Sequence, residues 1–172
     1  MNRVTVSAED IPLPGWSLRL KSFARKVLAR LGRDRWELSV LLCGDGTIGD
    51  LNLRYRGKQG PTDVLSFSQA EGGGFPPELS PNANRWLHGD IAISLDTLRE
   101  NTREFGVAED KELRRLLIHG ILHLDGMDHH TNDDDEPMLR LQENILEELA
   151  DQRILPKAGL PAATRPPGGR NA

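Results

Sequence analysis

The 172-residue sequence predicts an α+β domain with a small mixed sheet, and three observations support this. Strand-like and helical runs come first as two βα-type pairs, two further strands follow close together, and helices fill the rest. The length suits one domain with a substantial core. A long stretch around residues 108–124 has helical periodicity and is apolar around most of its circumference, so it must be buried.

Taken in order, Arg3 to Ser7 alternates as a short strand with Val4 and Val6 on one face. A loop containing Pro12, Pro14 and Gly15 leads to an amphipathic helix over 17–31. Its Leu20, Phe23, Ala24, Val27, Leu28 and Leu31 face inward, and Arg19, Lys21, Arg25, Lys26 and Arg30 face outward. Gly32 stops it. Trp36 to Cys43 is a strand, nearly continuous in apolar residues after Ser39 and therefore buried on both faces. Thr47 caps a helix of about two turns that ends near Tyr55. Pro61-Thr62-Asp63 leads into a strand over 64–68, and residues 69–84, rich in Gly, Pro, Asn and Ser, form a loop or hairpin insert.

A strand over 86–94 precedes a short helix over 95–104, with Leu95, Leu98 and Phe105 turned inward. Asp90 in that strand either orients a ligand or holds a turn. The next helix opens near Ala108 with Glu109, Asp110 and Glu112, acids favoured at the positive end of a helix. Gly120 inside it costs about 1 kcal/mol relative to Ala, a cost that close approach by a packing partner or a substrate would explain. Residues 132–137 cap a final helix that starts with Pro137, reaches about Ala150, and turns Met138, Leu141, Ile145 and Leu149 inward. The domain is expected to span 1–154, with 155–172 a disordered tail of Pro, Gly and Ala.

The lone Cys43 excludes an internal disulfide and reads as a small buried hydrophobe. No apolar run approaches a membrane span and the N-terminus has no signal-type core, so the expected location is the cytoplasm. Net charge is −4 but unevenly placed: residues 1–60 carry eleven Lys/Arg against six acids, and the remainder is strongly acidic. The basic part either faces an anionic partner or merely solvates a helix.

The chemistry is concentrated in residues 119–129, His-Gly-Ile-Leu-His-Leu-Asp-Gly-Met-Asp-His. Four of the five histidines fall between 119 and 130, which argues against independent placement. His119 and His123 are about 40° apart around a helix axis and about 6 Å along it, so both can reach one ion. Gly126 most easily ends the helix in the left-handed conformation, letting His129 fold back as a third ligand. Three neutral imidazoles on a tetrahedral Zn²⁺ leave one position open, as in a catalytic site, and such an ion supplies a water with a pKa near about 7. His88 and His130 receive no role. The spacing matches the metzincin pattern, except that Gly120 stands where the peptidase carries its Glu base. The metal ligands are kept and the base is missing.

The full string resembles the HGxLHLxGxDH motif of the YbeY family, bacterial endoribonucleases of ribosomal RNA maturation, with Met127 replacing the usual aromatic residue. Residues 51–58 with 61–67, and 89–94, share the likeness, which spans residues 36–150. The resemblance implies about four strands packed against helices, a zinc cleft at one side, one Zn²⁺ held by His119, His123 and His129, and Arg56 as an essential arginine. It further implies a single-strand-specific, zinc-dependent endoribonuclease acting in 16S rRNA 3′-end maturation and ribosome quality control. Its partners would be the small ribosomal subunit, ribosomal proteins, a ribosome-associated GTPase and exoribonucleases.

Arg56 suits phosphate chemistry because a guanidinium is permanently charged and grips phosphate bidentately. Arg54, Lys58, Arg25 and Lys26 are the candidates for tracking an RNA backbone. Asp128 either fixes an imidazole tautomer or caps a loop; Asp125, at the motif's variable position, receives no role. The water either attacks phosphorus or takes the proton of the ribose 2′-hydroxyl. Two other readings use the same tripod: a zinc peptidase or other hydrolase, and a non-enzymatic ribosome assembly factor whose zinc pins the fold.

Overall fold

The computed structural model describes residues 1–68 and 87–162. In chain order these form β1 (Arg3–Glu9), α1 (Ser17–Arg30), β2 (Trp36–Cys43), α2 (Asp45–Arg56), β3 (Val64–Ser68), β4 (Leu87–Ser94), α3 (Leu95–Phe105), α4 (Glu109–Leu124) and α5 (Pro137–Glu148). The sheet order is β1-β2-β4-β3; β1, β2 and β4 run parallel, and β3 is antiparallel to β4. This is the α+β mixed sheet expected from the sequence. The insert expected at 69–84 lies outside the described residues.

Strand alternation decides which side of the sheet holds the main core. Val4, Leu38, Val40, Leu42, Ile91 and Ile93 pack with Leu20, Phe23 and Val27 of α1 and with Leu113, Leu117 and Ile121 of α4. On the other face Cys43, Ile48, Leu65 and Ala92 form a smaller cluster beneath α2. β2 is therefore covered on both faces as expected, but only toward its C-terminal end; Glu37 and Ser39 stay half-buried. Gly120 brings α4 down onto the sheet: a Cβ there would stand 2.8 Å from Ile91 Cδ1. The close approach expected at Gly120 is thus made by a packing partner.

Three local expectations need correction. α2 has three turns rather than two, and Gly44, not Thr47, is its N-cap. The first-turn donors are satisfied from a distance: Asp10 accepts from Gly44 N–H (2.6 Å) and from Thr47 N–H and Oγ1–H, while Asp96 accepts from Asp45 N–H at 3.0 Å. Phe105 is 70% exposed rather than inward. It is the last residue of α3, and the left-handed turn at Gly106 takes the chain toward α4, leaving the ring on the rim of a side cleft with Asn101 and Arg140. Finally, order does not stop at 154, because Leu155 and Leu160 are buried in the main core.

Asp110 explains that last point. Its Oδ1 accepts the N–H groups of Ile154 and Leu155, both at 2.8 Å, and its Oδ2 accepts Arg114 Nε–H at 2.9 Å. Both charged side chains are buried. Asp110→Ala leaves a buried guanidinium without its counter-charge and two buried amides without an acceptor, so it should cost about 3–5 kcal/mol in chemical denaturation. Undiminished stability would show that water replaces the carboxylate.

Candidate metal centre

α4 supplies two of the three imidazoles directly. His119 and His123 point the same way from its last turns, and their Nε2 atoms lie 3.0 Å apart. The helix then closes as the sequence requires: Gly126 N–H donates to His123 O and Met127 N–H to Leu122 O, with Gly126 at φ +92°. That paired wrap is the Schellman ending, and it returns the chain toward the helix. His129 follows, its ring centroid 5.3 Å from that of His119 and 5.6 Å from that of His123. One nitrogen from each ring falls within 4.8 Å of the other two.

The other nitrogen of each ring is already engaged. His119 Nδ1 faces Gln142 Oε1 at 2.7 Å, His123 Nδ1 faces the Met127 carbonyl at 3.1 Å, and His129 Nδ1 faces the Thr131 carbonyl at 2.9 Å. The two carbonyls can only accept, and Gln142 offers its amide oxygen, so each Nδ1 carries the proton and each Nε2 a lone pair. Two lone pairs 3.0 Å apart repel unless a cation lies between them. Neighbouring ligands on a tetrahedral Zn²⁺ at ~2.0–2.1 Å stand about 3.3 Å apart, so the donor set fits such an ion. Burial pushes the pKa of His119 and of His123 down, which favours the neutral, ligating form; nearby positive charge, Arg56 included for His123, acts in the same direction.

His119 and His123 open on a cleft of about 900 Å³ whose walls include β3, Arg56, Arg33 and the turn 125–128. Arg56 is fixed to the β3 wall: its Nη2–H donates to the Ser66 carbonyl at 2.6 Å, and its guanidinium lies 5.4 Å from the Phe67 ring centroid. Tyr55 meets the same ring edge-on. Ser66 Oγ–H in turn donates to the Gly120 carbonyl, which ties β3 to α4 within one turn of His119 and His123.

The remaining sequence candidates divide. Asp128 lines the cleft, yet its carboxylate accepts the His129 backbone N–H at 2.8 Å, a bond that also lowers its own pKa. That is the loop-cap arrangement, and the imidazole tautomers are fixed by Gln142, Met127 and Thr131 instead. Arg54 and Lys58 sit exposed at the end of α2, and Arg25 and Lys26 on the outside of α1; none is among the residues lining the cleft. Lys26 bonds Gln152. Gln142 is the residue that sequence reasoning missed. Its signal was a polar side chain among Met138, Leu141 and Ile145 on the inward stripe of the last helix.

An α+β protein with a three-imidazole, metal-fitting site beside an anchored arginine is the class that fold and geometry define. Within that class the chain belongs to the endoribonuclease YbeY family, whose model matches residues 8–150. It is 43% identical over 157 residues to the endoribonuclease YbeY of Treponema denticola, covering 89% of this chain and 97% of the relative. With that of Treponema pallidum it shares 45% over 148 residues, 85% of this chain and 89% of the relative. A Thermotoga maritima protein whose structure was solved in solution superposes with a TM-score of 0.53 at 26% identity, over 96% of this chain and all of its own.

Two outcomes follow from this geometry. Gln142→Met removes the acceptor on His119 and should weaken Zn²⁺ binding about 10–100-fold in chelator competition; unchanged affinity would mean that Gln142 only packs. The metal-free protein should lose stability as pH falls below about 6.5, because unfolded imidazoles then take up protons that buried His119 and His123 resist. Denaturant midpoints at pH 7.5 and 5.5 check the sign.

Proposed function

We infer that this chain is an endoribonuclease, as its relatives are named, and that it acts in ribosomal RNA maturation. The observation that carries the reading is the convergence of three lone-pair nitrogens, two of them on residues that line the same cleft as an anchored guanidinium. His119, His123 and His129 hold one Zn²⁺; three imidazoles without a thiolate suit that ion and leave a position for water. When bound, the ion supplies a water acidic enough to serve as nucleophile or base near neutral pH.

The chain's own residues do the rest. Gln142 and the carbonyls of Met127 and Thr131 keep the imidazoles in the ligating tautomer. Arg56 is the catalytic residue: one N–H is given to Ser66, and its remaining donors grip the non-bridging oxygens where charge builds at phosphorus. Arg54, Lys58, Arg25 and Lys26 guide the RNA backbone outside the cleft. With Gly120 where a zinc peptidase carries its base, a peptidase reading has no proton acceptor at that position.

The substrate of this reading is single-stranded RNA at the 3′ end of precursor 16S rRNA, processed in the cytoplasm on the small ribosomal subunit. Ribosomal proteins, a ribosome-associated GTPase and exoribonucleases are its proposed partners. Among the described residues no helix is long and apolar enough to cross a membrane.

The deciding experiment is cleavage of a precursor small-subunit RNA by wild type, His123→Ala and Arg56→Ala, purified identically. His123→Ala should abolish cutting, and Arg56→Ala should slow it by about 10²–10³-fold. Equal cutting by all three preparations would reveal a contaminating nuclease and overturn the reading.

A further inference from the structure

α1 and α4 end at the same side of the cleft with the same kind of wrap. At the end of α1, Gly32 N–H donates to Ala29 O and Arg33 N–H to Leu28 O, with Gly32 at φ +68°. Arg33 is thus fixed by its own N–H, and its carbonyl accepts Asn2 Nδ2–H at 2.8 Å. The side chain is fixed as well. Nε–H and Nη2–H reach the two carboxylate oxygens of Asp125, at 2.6 and 3.1 Å. Asp125 is the C-cap of α4, two residues beyond the ligand His123.

Exposure separates the two partners. Both line the cleft, but the Asp125 side chain is only 12% exposed, whereas that of Arg33 is 45% exposed. The cation is the more open of the two. A guanidinium has five N–H donors, and this pair uses two, leaving three for something in the cleft. A half-exposed ion pair adds little to stability. A helix end gains from any nearby cation and needs no oriented fork. What a bidentate carboxylate adds is a fixed direction for the remaining donors.

Arg56 is anchored to β3 and Arg33 to the end of α4, so two walls of one cleft each present a guanidinium. A single phosphoryl group needs one such grip. A chain molecule with a charge at every linkage can use both. We propose that Arg33, oriented by Asp125, is a second phosphate-binding group for single-stranded RNA, taking a backbone phosphate other than the one at the metal. The identity of the ligand rests on the nuclease reading; the position of the group rests on the Arg33–Asp125 geometry.

The test is equilibrium binding of a labelled single-stranded RNA oligomer across a salt series, in the His123→Ala background so that no cutting intervenes. Cleavage by the chain with His123 intact is measured in parallel. Arg33→Met should weaken binding about tenfold and reduce the slope of log K against log salt by about 0.7, the value for one phosphate contact on a single strand. Arg33→Lys should restore the slope but only part of the affinity, because it keeps the charge and loses the fork. Asp125→Asn should weaken binding severalfold although it removes a negative charge. Arg33→Met with unchanged affinity and slope would overturn the proposal, and tighter binding by Asp125→Asn would overturn the orienting role. A chain that binds with an Arg33-dependent slope yet never cuts RNA would overturn the nuclease reading and leave the phosphate site standing.

Discussion

The contact between Gly120 and Ile91 sets the geometry on which the site depends. With no side chain at 120, α4 settles onto β4 closely enough that a Cβ would overlap Ile91. That depth buries the apolar circumference of the helix against the sheet. It also puts the Gly120 carbonyl within reach of Ser66, so that β3 and α4 become two walls of one cleft. Each imidazole is then oriented by a group outside α4's regular turns: a side chain of α5 and two loop carbonyls. A helix held farther from the sheet would carry the same histidines without this relation to Arg56.

Much of this was visible in the sequence because the deciding interactions were local. His119 and His123 are one helical turn apart, and the left-handed turn at Gly126 needed only the neighbouring residues to be foreseen. Where partners are far apart in sequence, local rules fall short. The donors at the start of α2 are satisfied by Asp10 and Asp96, dozens of residues away, so a rule that looks for a nearby hydroxyl chose Thr47. Asp110 fits its place in a first turn, yet its larger contribution is to two amides more than forty residues on. Periodicity placed Phe105 on the inward stripe of α3, but periodicity does not say where the neighbouring surface ends.

Charge follows the same division. The basic character of the first third of the chain was legible as composition, but composition does not say which cations are committed to partners. Arg30 is paired with Glu148 of α5. Arg33 and Arg56 are different: each is anchored on one edge and open on the other. Whether a cation is held yet keeps free donors depends on its neighbours in the fold, which composition does not encode.

β3 pairs with β4 alone among the described residues, so its outer side is an edge next to the cleft. Open strand edges are templates for edge-to-edge association, and native proteins commonly guard them with charge. Arg56 occupies the carbonyl of Ser66, in the middle of that strand, and so serves as a gatekeeper as well as a cation. The arginine beside the three imidazoles therefore also covers an edge carbonyl that another strand could otherwise pair with.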